Sequence, residues 1–188
     1  MMDSLSCKYG RVRSKLLVPL GLLLLLLAVA ARTRGSGNIL CTDLNDFRLG
    51  IARELGFHTV NAARDSVEEK MKQLAPDGFD VAFLTITSEQ GINQALRLVR
   101  GRGRVMVITL FGSKIPFDLG LVQLREIEVK GSMAYTGEDF HAALAILSEN
   151  GERLKRVVTH HVGLDGIGEA IHLLSDPDNR ALKIAVLP

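Results

Sequence analysis

Tryptophan is absent, and aromatic residues make up only 5% of the 188-residue chain. That scarcity argues against the stacked aromatic platforms that hold single-stranded nucleic acid. Cysteine is almost absent too. Cys7 and Cys41 are the only two, and neither sits in a CxxC or Cys/His spacing, so no structural zinc site is readable. One disulfide between them is open. Two unpaired thiols are the favoured reading, because nothing suggests a small scaffold built on disulfides. No GxSxG, P-loop or HExxH motif occurs, which removes the commonest signatures of serine hydrolases, P-loop nucleotidases and zinc peptidases. Charge of one sign is scarce as well, with a net charge of +2. Residues 1–37 hold Lys8, Arg11, Arg13, Lys15, Arg32 and Arg34 against Asp3 alone, giving +5 and leaving −3 for the remainder. The basic excess is therefore an N-terminal feature, and the main body offers no face for nucleic acid.

What the chain has is apolar residues, 47% against 23% charged. That is ordinary for a globular α/β protein and enough for one domain with a substantial core. The most apolar stretch is Leu16 to Ala31, sixteen consecutive uncharged residues. Three readings compete for it. A membrane span needs about twenty residues; this run is shorter, contains Pro19 and Gly21, and is flanked by basic residues at both ends, giving no orientation bias. An export signal would have a basic start and an A-x-A site at Ala28-Val29-Ala30. A buried helix would run from Gly21 to Arg34 after a strand over Arg11 to Val18, with the turn at Pro19 and Leu20. The first helix of a nucleotide-binding half-domain lies against a sheet, so it can be apolar over much of its circumference. The last reading is favoured, and with it a cytoplasmic protein; a membrane-associated or exported one through residues 1–31 is the alternative.

Downstream the pattern alternates. NILCT (38–42), HTVN (58–61), FDVAFL (79–84) and RVMVITLF (104–111) read as strands. Between them, residues 44–56, 65–74 and 88–100 read as helices, with Leu44, Phe47, Ile51 and Leu55 inward on the first. Val67, Met71 and Leu74 face inward on the second, and Ile92, Ala95, Leu96 and Val99 on the third. Such alternation predicts a parallel sheet with crossover helices. KIPFDL then reads as extended or turn, residues 125–132 as a strand, and 138–150 as a helix with Phe140, Ala143, Leu144 and Leu147 inward. Residues 156–162, 164–176 and 181–188 read strand, helix, strand. Asp43 falls at the end of the second strand, some twenty residues beyond Gly21. That is where a dinucleotide-binding unit holds the adenosine ribose hydroxyls. The bland alternative for Asp43 is a strand-end or N-cap carboxylate.

Several stretches carry a family resemblance: TDLNDFRLGIARELG, GFDVAFLT, INQALRLVRGRGRVMVITLFG, LREIEVKGSMAYTGEDF and VTHHVGLDGIGEAIHLLSDPDNRALKIAVLP. From about Lys15 to Pro188 the chain resembles the C-terminal half of the medium-chain dehydrogenase/reductase family. It is most similar to the zinc-dependent polyol and secondary-alcohol dehydrogenases of the sorbitol and threonine dehydrogenase type. The resemblance implies a Rossmann-like, doubly wound parallel sheet of six strands that binds NAD. It also implies a chaperonin-10-like catalytic domain carrying the zinc, expected almost wholly N-terminal to Lys15. The fourteen residues before Lys15 hold no counterpart of its zinc ligands. The expectation is therefore an NAD-binding domain over 15–150, preceded by a basic segment over 1–14. The C-terminal extension over 151–188 would pack on the missing catalytic domain. By itself the chain should have no zinc and weak or no alcohol-oxidising activity.

The family fingerprint GxGPxG corresponds here to Leu16-Leu17-Val18-Pro19-Leu20-Gly21, so Pro19 and Gly21 match and two glycines are lost. Leu16 and Val18 would put bulk where the backbone should approach the pyrophosphate, which weakens NAD binding. The resemblance assigns cofactor-binding positions to Pro19, Leu20, Gly21, Asp43, Arg48, Thr85, Leu110, Phe111 and Met133. Asp43 would accept from the ribose and favour NAD over NADP, with Arg48 near the adenine and ribose. Thr85, Leu110 and Phe111 would line the nicotinamide side, and Met133 would run beside it. Thr109 stands where the family carries glycine before LFG. No catalytic residue and no metal ligand is assigned. His160 and His161 would point to opposite faces of one strand and ligate no common metal. Exposed apolar residues in 157–174 would imply a partner: a second copy of the chain or a separate catalytic subunit.

Overall fold

The computed structural model describes residues 15–19, 21–176 and 179–188. Leu20 and the basic segment 1–14, which carries Cys7, lie outside the described residues. The chain alternates strand and helix: β1 (Leu16–Pro19), α1 (Leu22–Thr33), β2 (Ile39–Asp43), α2 (Asp46–Glu54), β3 (His58–Asn61), α3 (Val67–Leu74), β4 (Phe79–Leu84), α4 (Glu89–Leu98), β5 (Val99–Val107), α5 (Leu119–Leu124) and β6 (Glu128–Gly131). The long α6 (Gly137–Leu154) leads into β7 (His160–Val162), α7 (Ile167–Ser175) and β8 (Ile184–Val186).

Six strands form one all-parallel sheet in the order β3-β2-β1-β4-β5-β6. This is the doubly wound Rossmann-like arrangement expected from the alternation. Successive residues of a strand face opposite sides, and the core is split accordingly. Leu16, Ile39 and Cys41 pack with Leu25, Ala28, Val29, Ile51 and Ala52 under α1 and α2. Leu17 and Leu40 pack with Val67, Phe79, Ile92, Ala95 and Leu96 under α3 and α4. Each Leu or Ile buried in this way contributes roughly 1.5–3 kcal/mol relative to exposure. The leucine run thus forms β1 and α1, both against the sheet, as the buried-helix reading expected. Leu23 (60%) and Leu26 (39%) nevertheless remain exposed on the outer side of α1. No helix among the described residues is long and apolar enough to cross a membrane.

Helix starts follow local capping chemistry. Asn45 accepts from the Phe47 and Arg48 amides at α2, Ser66 from Glu69 at α3, and Ser88 from Gly91 at α4. Thr136 and Asp139 form a reciprocal capping box at α6. Each satisfies amide groups that the first helical turn leaves without partners.

The structure departs from the periodicity in four places. β5 spans Val99–Val107 rather than 104–111, so α4 ends at Leu98. A register shift against β4, where Phe79 meets Val99 but Val81 meets Arg104, absorbs the Gly101-Arg102-Gly103 stretch, with Arg102 at φ +58°. The end of KIPFDL turns into α5 from Leu119, capped by Asp118, which accepts from the Leu121 amide. Leu44 precedes its helix and is 68% exposed. Most consequentially, the α6 face expected inward is outward: Phe140, Leu144 and Leu147 are about half exposed and Ala143 is exposed too. α6 meets the core through Ile146, Leu154 and the following Val157, so one helical face is bound and the other meets no facing element among the described residues.

β7 and β8 pair in parallel as a separate two-stranded sheet. This extension is tied to the main body by Leu182 in the α1-side core and by the Asn45 side-chain amide donating to the Asn179 carbonyl at 2.9 Å. Val157, expected to be exposed, is buried at 4%.

Candidate functional site

The strand order places a topological switch at β1. From β1 the chain winds outward through β2 to β3, then crosses back by α3 to β4 on the other side of β1. In open parallel sheets the crevice outside the strand ends at such a switch point is where ligands bind. Pro19 ends β1, and Gly21 then caps α1 in an extended conformation (φ −176°, ψ 174°) with no side-chain bond to the helix. α1 has no acidic residue in its first turn. A Cβ built on Gly21 would meet nothing within 4 Å. Gly21 therefore adds no bulk beside the first amide groups of α1, whose dipole favours an anion. Leu16 is 4% exposed and belongs to the core below α1, so its bulk is absorbed by the core rather than by the crevice as the sequence suggested.

Asp43 closes β2 on the same carboxyl edge of the sheet. Its side chain is only 4% exposed. Oδ1 accepts from the backbone amides of Leu44 (2.7 Å) and Asn45 (2.9 Å) and from Arg48 Nη2 (2.7 Å). Oδ2 accepts from Arg48 Nε at 2.9 Å. The result is a bidentate pair, the strong geometry for guanidinium and carboxylate. The hydrogen bond to Asp43 raises the Arg48 pKa, against burial, which lowers it. Asp43 is thus a strand-end carboxylate that organises the start of α2, and Oδ2 accepts one donor among the described residues. The adenosine end of a dinucleotide therefore fits the residues present. Sequence reasoning placed Arg48 near the ribose but missed that it grips Asp43. The signal was there in the i, i+5 spacing across a strand-to-helix turn capped by Asn45.

The other expected positions share the carboxyl edge. Leu84 is level with Val107, and Val107 with Gly131. The Ile108 amide donates to the Leu84 carbonyl (3.1 Å) and the Ser132 amide to the Val107 carbonyl (2.9 Å). Thr85, the Thr109–Phe111 stretch and Met133 thus emerge from neighbouring strand ends. Thr85 is half-buried, while Leu110 (74%) and Met133 (78%) stand largely in solvent. They form a rim, not walls. The side chains of Val18 and Pro19 and all of Leu20 lie outside the described residues.

Among the described residues no group of three His, Cys, Asp or Glu side chains is arranged to hold a metal ion. Cys41, buried at the centre of β2, has its thiol pushed up to about 12, chiefly by burial.

The family described as zinc-binding dehydrogenase matches residues 19–149. Sorbitol dehydrogenase of Bacillus subtilis is 28% identical over 167 residues, covering 87% of this chain and 47% of its own. L-threonine 3-dehydrogenase of Chromobacterium violaceum is 30% identical over 145 residues, covering 74% and 42%. Alcohol dehydrogenase of Thermotoga maritima shares the fold with a TM-score of 0.86 at 23% identity, over 97% of this chain and 52% of its own. The chain spans about half the length of the curated relatives it matches. With a parallel six-stranded sheet, an acidic residue ending its second strand and a family match over most of its length, the chain belongs to the zinc-binding dehydrogenase family.

Proposed function

We propose that this chain is a dinucleotide-binding module that takes NAD by its adenosine end and contributes to alcohol or polyol oxidation together with a substrate-holding half. The observation that carries the reading is Asp43, held at the carboxyl edge of the strand next to β1, whose following helix α1 starts at Gly21 without a side-chain cap. Asp43 Oδ2 accepts a ribose hydroxyl there, while its negative charge disfavours a 2′-phosphate. Arg48 keeps its pairing with Asp43 and holds the carboxylate oriented toward the adenosine end. The first amides of α1 face the pyrophosphate, with Gly21 leaving room for close approach. Bound NAD supplies the hydride acceptor. The rim of Thr85, Leu110, Phe111 and Met133 shields the nicotinamide side.

Calorimetric titration with NAD and NADP tests this. NAD should bind weakly and NADP more weakly still. Asp43→Asn, checked for folding by circular dichroism, should weaken NAD about tenfold, the cost of one hydrogen bond to a charged group. Equal affinities in the two proteins would remove the ribose role.

A second reading concerns a partner. α6 presents Phe140, Leu144 and Leu147, and α7 presents Ile167, Ile171 and Leu174, each at 40–60% exposure. Apolar stripes at i, i+4, i+7 that no element among the described residues covers are suited to docking. We infer that they receive the substrate-holding half, supplied as a separate subunit or through a second copy. Size-exclusion chromatography checks it: association should occur with or without NAD and be lost in Leu144→Asp.

A further inference from the structure

A pocket of about 180 Å3 opens on the side of the domain away from the dinucleotide crevice, lined by Val29, Arg32, Thr33, Leu55, Phe57, Asn150 and Arg153. Arg32 and Thr33 end α1 and Leu55 follows α2, so the pocket lies at the amino edge of the sheet. Two guanidinium groups converge in it on one acceptor. Arg32 Nη1 (3.1 Å) and Arg153 Nη2 (2.9 Å) both donate to the Leu55 carbonyl, and Arg32 Nη2 donates to the Gly56 carbonyl at 2.8 Å. The Arg32 guanidinium also lies over the Phe57 ring, 4.0 Å from its centroid. Among the described residues neither arginine is in an ion pair, and the nearby Glu54 is taken by Arg156 at 2.6 Å.

Capping α2 explains part of this arrangement. The carboxyl end of a helix carries roughly half an elementary negative charge. Arg32 and Arg153 also stand in the last turns of α1 and α6, so three helix ends face two positive charges, and about half a positive charge remains uncompensated. Each group also keeps donors beyond those committed to the carbonyls, since a guanidinium has five N–H bonds. Burial first, and then the charge of Arg153, lower the Arg32 pKa. The Thr33 hydroxyl and the Asn150 amide border the pocket with their donors committed: Thr33 Oγ1 donates to the Val29 carbonyl (3.0 Å), and Asn150 Nδ2 to the Ile146 carbonyl (2.9 Å) and to Thr33 Oγ1 (3.3 Å). An anion seated between the arginines would relieve their repulsion and occupy their spare donors. The volume sets its size. A water takes about 30 Å3 of liquid, so the pocket holds some six waters' worth, enough for a phosphate group with a small substituent and far too little for a dinucleotide.

We propose that Arg32 and Arg153 form a phosphate-binding site separate from the dinucleotide crevice, with Val29 and Phe57 supplying an apolar wall. The site takes a phosphate dianion, free or as a small monoester. Its occupancy is independent of the cofactor, because the two sites lie at opposite edges of the sheet.

Calorimetric titration of the whole chain with inorganic phosphate, at ionic strength matched with sodium chloride, tests the proposal. Phosphate should bind, and saturating NAD should leave its affinity unchanged. Arg153→Gln removes an exposed side chain and should weaken phosphate about tenfold, whereas Arg97→Gln, on α4 across the sheet, should leave it as in the wild type. Arg32→Gln should weaken it as well, with thermal unfolding run in parallel to register the lost α2 cap. Absence of phosphate heat at matched ionic strength, or equal affinities in the Arg153→Gln and Arg97→Gln proteins, would overturn the assignment. Competition between NAD and phosphate would also overturn it, by placing the anion in the dinucleotide crevice.

Discussion

Removing the Asp43 carboxylate should destabilise the fold as well as the cofactor site. In Asp43→Ala the Leu44 and Asn45 amides lose their acceptor and Arg48 loses both of its bonds. Breaking a buried ion pair costs about 3–5 kcal/mol. Here the lower end applies: the Asp43 side chain is 4% exposed but that of Arg48 is 25% exposed, so the abandoned guanidinium can turn to water. The expected loss is about 3 kcal/mol in urea unfolding at pH 7, or a fall in melting temperature of about 6–12 °C for a chain of this size. Arg48→Ala should cost less, about 2 kcal/mol, because the carboxylate keeps its two backbone donors. Asp43→Asn keeps an oxygen toward those amides and should lie between wild type and alanine. The double mutant should return a coupling of about 1–2 kcal/mol. A coupling below about 0.5 kcal/mol, or an Asp43→Ala loss below about 1 kcal/mol, would refute the view that this pair organises the strand-to-helix turn.

The leucine run offers a contrast within one helix: Leu25→Ala, at full burial, should cost about 3–4 kcal/mol in the same assay, and Leu23→Ala, at 60% exposure, less than about 0.5 kcal/mol. Equal losses would show that α1 is not seated as described. In a Cys7→Ser background, Cys41 should resist a thiol reagent until urea unfolds the chain, since its thiol is buried and pushed up to about 12. The sign of its pH dependence follows. The raised group keeps its proton in the folded state while the unfolded thiol ionises, so stability is full below the unfolded pKa and falls as pH rises from about 9 toward 12. Cys41→Ala should flatten that fall, and an unchanged slope would refute the burial argument.

The doubly wound sheet was legible because its strands are short apolar runs spaced by amphipathic segments with their caps in place. Asn45, Ser66, Ser88 and Thr136 each stand where a helix must start, and local chemistry of that kind needs no tertiary context. The position of Asp43 was legible for the same reason: it ends a strand that the periodicity already marks. What could not be read were the contacts made across the chain. The grip of Arg48 on Asp43 depends on the angle at which α2 leaves β2. The convergence of Arg32 and Arg153 joins residues 121 positions apart in the sequence.

The sequence by itself determined the alternation of strands and helices from β1 to β5 and the two-sided character of the core, because side-chain alternation and helical spacing are properties of the local chain. Only the tertiary structure decided which apolar faces are covered. Phe140, Leu144 and Leu147 have the same spacing as a buried stripe, yet they face outward, since burial depends on whether another element arrives to meet the face and no local pattern encodes that arrival.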